Sequence, residues 1–251
     1  MPTLYAATAL YGVLTPQANT TVEPELALLM PPGHGTITAR LTSTCPDMNE
    51  RLTDYFRAIN ATTSQFANAP LTAVGFACTG ASYLVGTQAE AEATATFAAT
   101  RGIPLVTAGQ AIARALVTLG ARRIAVASPY GDRLTASALA YWQAQGFTIT
   151  QVARIAENTT AFHPIYAHSA DHARAATRSL LEDPQADAIV LLGTGLPTLP
   201  ALMASAGARR PVLSSNFCLA WALAHPAADR TSLIAWLTGS HWHDRLRATL
   251  G

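Results

Sequence analysis

One cysteine stands where an enzyme could use a thiol. An apolar strand-like run, 73–77, ends directly before Cys78, and Thr79, Gly80 and Ser82 follow as a turn leads into a helical stretch. Backbone N–H groups at such a turn bind anions well, and the two hydroxyls add donors. The partial positive charge of these N–H groups is also expected to lower the thiol pKa below its free value of about 8.5. The segment predicts a carboxylate site beside a thiol that exchanges protons with carbon. The alternative is a buried cysteine that only packs.

A second strand-like run ends in a similar way but without a thiol. Gly193, Thr194 and Gly195 follow the run 188–192, and glycines there allow a close approach of backbone to a ligand. The alternative is a plain strand-to-helix turn. Tyr130 follows another apolar run, so its side chain is expected to point at the same place, although a buried structural tyrosine is an equal alternative.

The segment that follows Pro16 offers a cap or a ligand. Thr20 or Thr21 is expected to cap a helix that has acidic residues in its first turn. Asn19 could instead donate its amide to a substrate carboxylate. Spacing alone favours the cap.

Two histidines and two further cysteines are interpreted as structural. His168 and His172 are four residues apart and would share a helix face, but no third metal ligand accompanies them, so no metal site is predicted. A solvated helix face is the favoured interpretation. Cys45 and Cys218 lie in or beside helical runs and are expected to pack.

The elements that must position these residues alternate between apolar strands and Ala-rich helices. This alternation is typical of parallel α/β sheets. Two parts of the chain repeat one another. The runs before Cys78 and Gly193 match, and several other short segments of the first part have counterparts in the same order in the second. We predict a first half, 1–108 plus 214–251, and a second half, 109–213. Ligands bind at the carboxyl ends of parallel strands, so the active site is expected in the cleft between the halves.

Composition excludes several classes of function. Half of the 251 residues are hydrophobic, 12% are charged and the formal net charge is +1, which predicts a folded core and neither a nucleic acid nor a membrane partner. All 16 Lys-plus-Arg positions are Arg, which excludes lysine Schiff bases and the P-loop lysine. Three unclustered cysteines and an N-terminus without a basic region favour a cytoplasmic location.

Taken together, these segments resemble the aspartate/glutamate racemase superfamily, within the branch of maleate cis–trans isomerases and arylmalonate decarboxylases. The resemblance implies two Rossmann-like halves about a pseudo-twofold axis, and chemistry without metal or organic cofactor. In the racemases, one cysteine from each half flanks the substrate carbon; here Cys78 matches the first and Gly193 replaces the second. The matching segments, in chain order, are 16–23, 77–80, 128–130, 157–158, 187–199 and 211–216.

The resemblance leaves two reactions open. In the isomerases the first cysteine attacks the double bond of maleate, and Asn19, Tyr130 and Asn158 match positions that bind carboxylate there. The decarboxylases need one cysteine, which protonates an enediolate. The leading expectation is that a substituted malonate is decarboxylated and Cys78 supplies the proton. Maleate isomerisation and a non-catalytic protein that binds small acids are the alternatives. The sequence leaves self-association open.

Overall fold

A computed structural model describes residues 3–156, 161–227, 229–239 and 241–250 of the chain. Within these ranges eight strands form two separate four-stranded sheets. The strands are β1 (Ala9–Pro16), β2 (His34–Leu41), β3 (Ala73–Phe76) and β4 (Leu105–Thr107) in the first sheet, and β5 (Arg123–Ser128), β6 (Thr148–Arg154), β7 (Ala188–Leu191) and β8 (Val212–Ser214) in the second.

Helices connect and cover the strands, and two short 3-10 helices, Ser64–Phe66 and Pro164–Ala167, accompany them. Of the described helices, none is both long and apolar enough to cross a membrane. The α-helices are α1 (Val22–Leu29), α2 (Met48–Arg57), α3 (Ile59–Thr63), α4 (Thr79–Arg101), α5 (Ala108–Leu119), α6 (Asp132–Ala144), α7 (Ala170–Leu181), α8 (Leu199–Ala204), α9 (Ser215–Ala224), α10 (Arg230–Leu237) and α11 (His243–Leu250).

The two sheets share one topology. The first has the order β2-β1-β3-β4 and the second the order β6-β5-β7-β8, and every strand pair is parallel. Each sheet therefore places its first and third strands at the centre, where helices cover both faces. The prediction of an α/β fold with two Rossmann-like, parallel halves is confirmed.

Apolar side chains of the central strands form the interior. Val13, Val74 and Phe76 are fully buried, and burial of such a side chain contributes about 1.5–3 kcal/mol. Helix α9 carries an unbroken run of buried residues and packs against α5, α1 and the first sheet. A Cβ on Gly75 of β3 would lie only 3.1 Å from Cδ1 of Leu223, so the glycine lets α9 approach the sheet closely.

The first strand differs from its prediction at the N-terminal end. The sequence predicts a strand over 5–14, whereas β1 begins at Ala9 and continues to Pro16. Leu4 and Tyr5 are exposed, and an isolated bridge between Thr3 and Ala6 turns the chain before it enters the sheet. Apolar composition alone could not show that these residues have no neighbouring strand.

Candidate active site

A cavity of about 50 Å³ lies between the two sheets, at the carboxyl ends of their central strands. It is large enough for a few waters or part of a small acid. Its walls combine residues of both halves: Pro16, Asn19, Met48, Arg51, Leu52, Tyr55, Cys78 and Gly80 from the first, and Tyr130, Leu134, His163, Pro164, Ile165, Tyr166, Thr194 and Gly195 from the second.

Most of the residues predicted for the site meet at this cavity. Three of the described ones do not line it. Thr79 stands between the lining residues Cys78 and Gly80, Gly193 directly precedes the lining residue Thr194, and Ser82 is fully buried one turn further along α4. Asn158 lies outside the described residues.

Cys78 connects β3 to α4 and is 3% exposed. Burial raises the pKa of this thiol to about 12, and a hydrogen bond from the backbone of Ala81 opposes the shift only weakly. The expectation of a lowered pKa is therefore wrong. The start of α4 does favour a thiolate, but the loss of hydration in a buried position outweighs it. At neutral pH Cys78 carries its proton and is suited to donate it.

Tyr130 and Thr79 form a pair of hydroxyls next to the thiol. Tyr130 Oη and Thr79 Oγ1 are 3.0 Å apart, and the pair spans the two halves of the chain. Burial raises the pKa of Tyr130, so the phenol remains protonated at neutral pH. Nη2 of Arg154 donates to the Tyr130 carbonyl oxygen at 2.6 Å, which fixes the backbone of the loop. The pair can therefore donate a hydrogen bond to an oxyanion in the cavity.

Asn19 performs the capping that the sequence analysis assigned to Thr20 or Thr21. Its Oδ1 accepts from the backbone N–H groups of Thr21, at 2.8 Å, and Val22, at 3.0 Å. An Asn side chain reaches backbone groups two and three residues ahead, a geometry that spacing alone did not distinguish. Because the oxygen is held in this way, the amide Nδ2 is directed at Thr194 and lies 3.5 Å from its Oγ1. The predicted donation from Asn19 to a substrate carboxylate stays a prediction.

Thr194 joins the strand ends of the two sheets. Its hydroxyl donates to the carbonyl oxygen of Ala77 at 2.8 Å, directly before the catalytic candidate Cys78. The carbonyl oxygen of Thr194 accepts from Asn216 Nδ2 at 3.0 Å. The hydroxyl is thus used to position the Cys78 backbone and is not available to donate to a ligand.

Glu25 is a buried carboxylate that the sequence analysis treated only as a first-turn acid. It accepts from the backbone N–H groups of Thr198 and Leu199, and Asn216 Nδ2 donates to it at 2.8 Å. Burial raises the pKa of Glu25, while these hydrogen bonds act in the opposite direction. The carboxylate ties α1 of the first half to the loop after β7, and through Asn216 to Thr194.

The two glycines of the second half make room for protein. Gly193 has a φ of +93°, and a Cβ there would lie 2.8 Å from Cδ1 of Ile165. A Cβ on Gly195 would lie 2.5 Å from Cε1 of Tyr166. The predicted close approach therefore involves the 3-10 helix Pro164–Ala167, which closes the cavity on this side. A second thiol at position 193 has no space.

Gly193→Ala is expected to destabilise the fold by about 2–4 kcal/mol, since left-handed backbone strain and overpacking add. Gly146→Ala is the matched control: Gly146 also has positive φ, +85°, but a Cβ there would meet nothing within 4 Å. It should cost only about 1 kcal/mol. Urea unfolding of both variants measures the difference. An equal loss of unfolding free energy in the two variants would show that Ile165 does not restrict position 193.

Helix α2 supplies cavity residues that the sequence analysis missed. Arg51 and Tyr55 are one helical turn apart and both line the cavity, although each is almost completely buried. His163, from the segment that precedes the 3-10 helix, lines the same cavity. The i, i+4 spacing of Arg51 and Tyr55 places both on one helix face, but it does not show that Phe162, 111 residues later, covers this face.

The two paired histidines do not share a helix face. His168 is buried and precedes α7, which begins at Ala170, while Nδ1 of His172 accepts from the Ser169 backbone at 3.1 Å and caps that helix. The described residues contain no group of three or more potential metal ligands. Cys218 is fully buried in α9, whereas Cys45 is half-buried and donates to Glu50 Oε2 at 3.2 Å.

Comparisons with known proteins agree with this architecture. Maleate isomerase Iso from Pseudomonas putida S16 has a TM-score of 0.79 and 23% identity, covering 92% of this chain and 99% of that one. Maleate cis–trans isomerase of Nocardia farcinica bound to TRIS has a TM-score of 0.73 and 25% identity, and the match covers 86% of this chain and 90% of that one. Arylmalonate decarboxylase with one Gly-to-Cys and one Cys-to-Ser substitution, in liganded form, has a TM-score of 0.74 and 22% identity, and the match covers 87% of this chain and 92% of that one.

Sequence comparison identifies the family. No significant match was found among curated proteins. The family model described as arylmalonate decarboxylase matches residues 11–233, which include both sheets except the first two residues of β1, and all described residues of the candidate site. The chain therefore belongs to the arylmalonate decarboxylase family.

Proposed function

We propose that the chain is a cofactor-independent decarboxylase of substituted malonates and that Cys78 protonates the product carbon. The observation that carries this proposal is the asymmetry of the cavity. Cys78 follows β3 of the first sheet. At the matching position after β7 of the second sheet, Gly193 has left-handed backbone, and Ile165 leaves no room for a side chain. Decarboxylation needs one acid on one face of a planar intermediate, and this arrangement supplies it.

The retained carboxylate would lie on hydrogen-bond donors at the strand ends. Tyr130, whose hydroxyl is paired with that of Thr79, and Asn19 line the cavity, and the first backbone N–H groups of α4 begin at Thr79. As the carbon–carbon bond breaks, its electron pair stays on the α-carbon and the carboxylate becomes an enediolate. Donors aimed at such developing charge are worth about 2.7–4 kcal/mol each.

The leaving carboxylate would face apolar side chains. Met48, Leu52, Leu134 and Ile165 line the cavity, and an apolar surrounding disfavours a charged carboxylate relative to neutral carbon dioxide. Carbon dioxide departs, the α-carbon takes the proton from Cys78 Sγ, and the resulting thiolate recovers a proton from water. Atoms and charge balance without a further reactant.

The protonation state of the thiol favours this reaction over isomerisation. Attack on a double bond requires a thiolate. Burial raises the pKa of Cys78 to about 12, so the resting group at neutral pH is the neutral thiol, a proton donor.

The experiment is turnover of 2-ethyl-2-methylmalonate in heavy water, followed by chiral analysis. The expected product is one enantiomer with deuterium at the new C–H bond, because Cys78 reaches one face only. A racemic product would contradict protonation by Cys78. Conversion of maleate to fumarate without turnover of any malonate would establish isomerisation instead.

A further inference from the structure

One wall of the cavity carries polar groups that the proposed reaction does not use. Arg51 is 2% exposed, and Nη1 donates to the carbonyl oxygens of Cys45, at 2.5 Å, and Pro46, at 3.2 Å. Nη2 donates to the carbonyl oxygen of Phe162, whose ring lies 3.5 Å from Cζ. These contacts fix the guanidinium in place, but all of its acceptors are neutral.

The positive charge of Arg51 has no acidic counterpart in the described part of the chain. The ion pairs found there involve other arginines, and the nearby Asp54 pairs with Arg57. A buried charge without a counter-ion costs several kcal/mol, so proteins rarely keep one unless a ligand neutralises it. Arg51 lines the cavity, so an anion bound there would lie close to this charge.

Two further groups of the same cavity are buried without a partner. Tyr55 is 1% exposed, and its Oη has no hydrogen-bond partner among residues 3–156, 161–227, 229–239 and 241–250. Nε2 of His163 is likewise unpartnered within those ranges. An unmade hydrogen bond of a buried polar group costs about 1–3 kcal/mol. These two unpartnered groups and the charged side chain of Arg51 surround one cavity, which indicates a ligand-binding wall.

The protonation of these groups suits an anion. Burial raises the pKa of Tyr55 to about 12, so the phenol is a donor at neutral pH. Burial, with the charge of Arg51, lowers the pKa of His163, so this ring is neutral and adds a hydrogen bond without a second charge. The wall therefore carries one positive charge and one fixed hydroxyl donor.

We infer that Arg51 and Tyr55 form a subsite for a carboxylate on the substituent of the malonate, so that the substrate class is a carboxylate-bearing malonate such as ethane-1,1,2-tricarboxylate. This inference rests on the proposed function for the reaction, while the subsite itself rests on the unpaired groups of α2. The small cavity favours a substituent of one or two carbons over an aryl ring.

The test compares two substrates of similar size and shape. Ethane-1,1,2-tricarboxylate carries a carboxylate where ethylmalonate carries a methyl group, and their products are succinate and butyrate. The parent protein is expected to prefer the tricarboxylate by about 10- to 100-fold in kcat/KM, the range expected for a hydrogen bond to a charged group. Tyr55→Phe and Arg51→Gln should each reduce that preference, measured as the ratio of kcat/KM for the tricarboxylate to kcat/KM for ethylmalonate in the same variant.

Arg57→Gln is the matched control, because Arg57 lies on the same helix but is exposed and does not line the cavity. It should retain the preference. Tyr55→Phe keeps the ring in place, so it tests the subsite even if Arg51→Gln loosens the contacts to Cys45, Pro46 and Phe162. An unchanged preference in Tyr55→Phe and Arg51→Gln would overturn the subsite.

A binding measurement separates failure of the subsite from failure of the reaction. Calorimetric titration of the parent should show that succinate binds at least about 10-fold more tightly than butyrate, and Tyr55→Phe should reduce the difference. If no malonate is turned over but succinate is preferred, the proposed reaction fails and the subsite stands. If malonates are decarboxylated but succinate and butyrate bind equally, the subsite is overturned.

Discussion

Cys78→Ala is expected to lower kcat on a substituted malonate by about 10²- to 10⁴-fold, the range of a positioned general acid. The thiol lies in the cavity and carries its proton at neutral pH, because burial raises its pKa to about 12. Removal of one sulfur from this position leaves the strand-to-helix connection unchanged. The measurement is steady-state turnover together with circular dichroism of the folded variant.

Cys45→Ser is the control, because Cys45 is half-buried and lies outside this cavity. It should retain turnover within a factor of about 2. Near-normal kcat in Cys78→Ala would contradict the assignment of the thiol as proton donor. Rapid alkylation of Cys78 at pH 7 would contradict the raised pKa, because alkylation requires the thiolate.

Tyr130→Phe is expected to lower kcat by about 10²- to 10³-fold with a smaller change in KM. Loss of one donor to a developing oxyanion has an effect of this size. The ring should stay in place, since Arg154 holds the Tyr130 backbone and the ring packs edge-on against Tyr83, while the hydroxyl makes one described hydrogen bond, with Thr79. The measurement is kcat and KM on the same malonate that the parent converts.

Tyr11→Phe provides the comparison for loss of a buried phenol elsewhere. Tyr11 lies in β1, its hydroxyl is 3.0 Å from Nδ1 of His34, and it does not line the cavity. Its loss should affect stability and not kcat. If Tyr130→Phe raises KM and leaves kcat unchanged, Tyr130 binds the ground state and does not stabilise the enediolate.

The fold was predictable because its determinants are local. Strand and helix alternate with clear breaks, and parallel strands must direct their carboxyl ends to one edge of a sheet. Cys78, Tyr130 and Thr194 each follow a central strand, so their convergence at one cavity follows from the pattern of the chain. The resemblance to a known branch indicated the same residues.

What the sequence analysis missed depends on contacts between distant segments. The pKa of Cys78 is set by how completely other elements exclude water, which no local motif reports. Arg51 and Tyr55 appear in the sequence as part of a charged helix and become cavity residues because the segment around Phe162 covers them. The constraint on Gly193 likewise comes from Ile165, 28 positions earlier in the chain.

The position of α9 has a consequence for how the chain is made. This helix follows the last strand of the second sheet, yet it packs on β3 and β4 of the first and on α1 and α5. During synthesis, the first sheet therefore keeps an apolar face uncovered until α9, about 110 residues after β4, has also left the ribosome. Nascent chains with such exposed surface are prone to aggregate, so this protein should depend on chaperones during translation more than one whose halves are each complete in sequence.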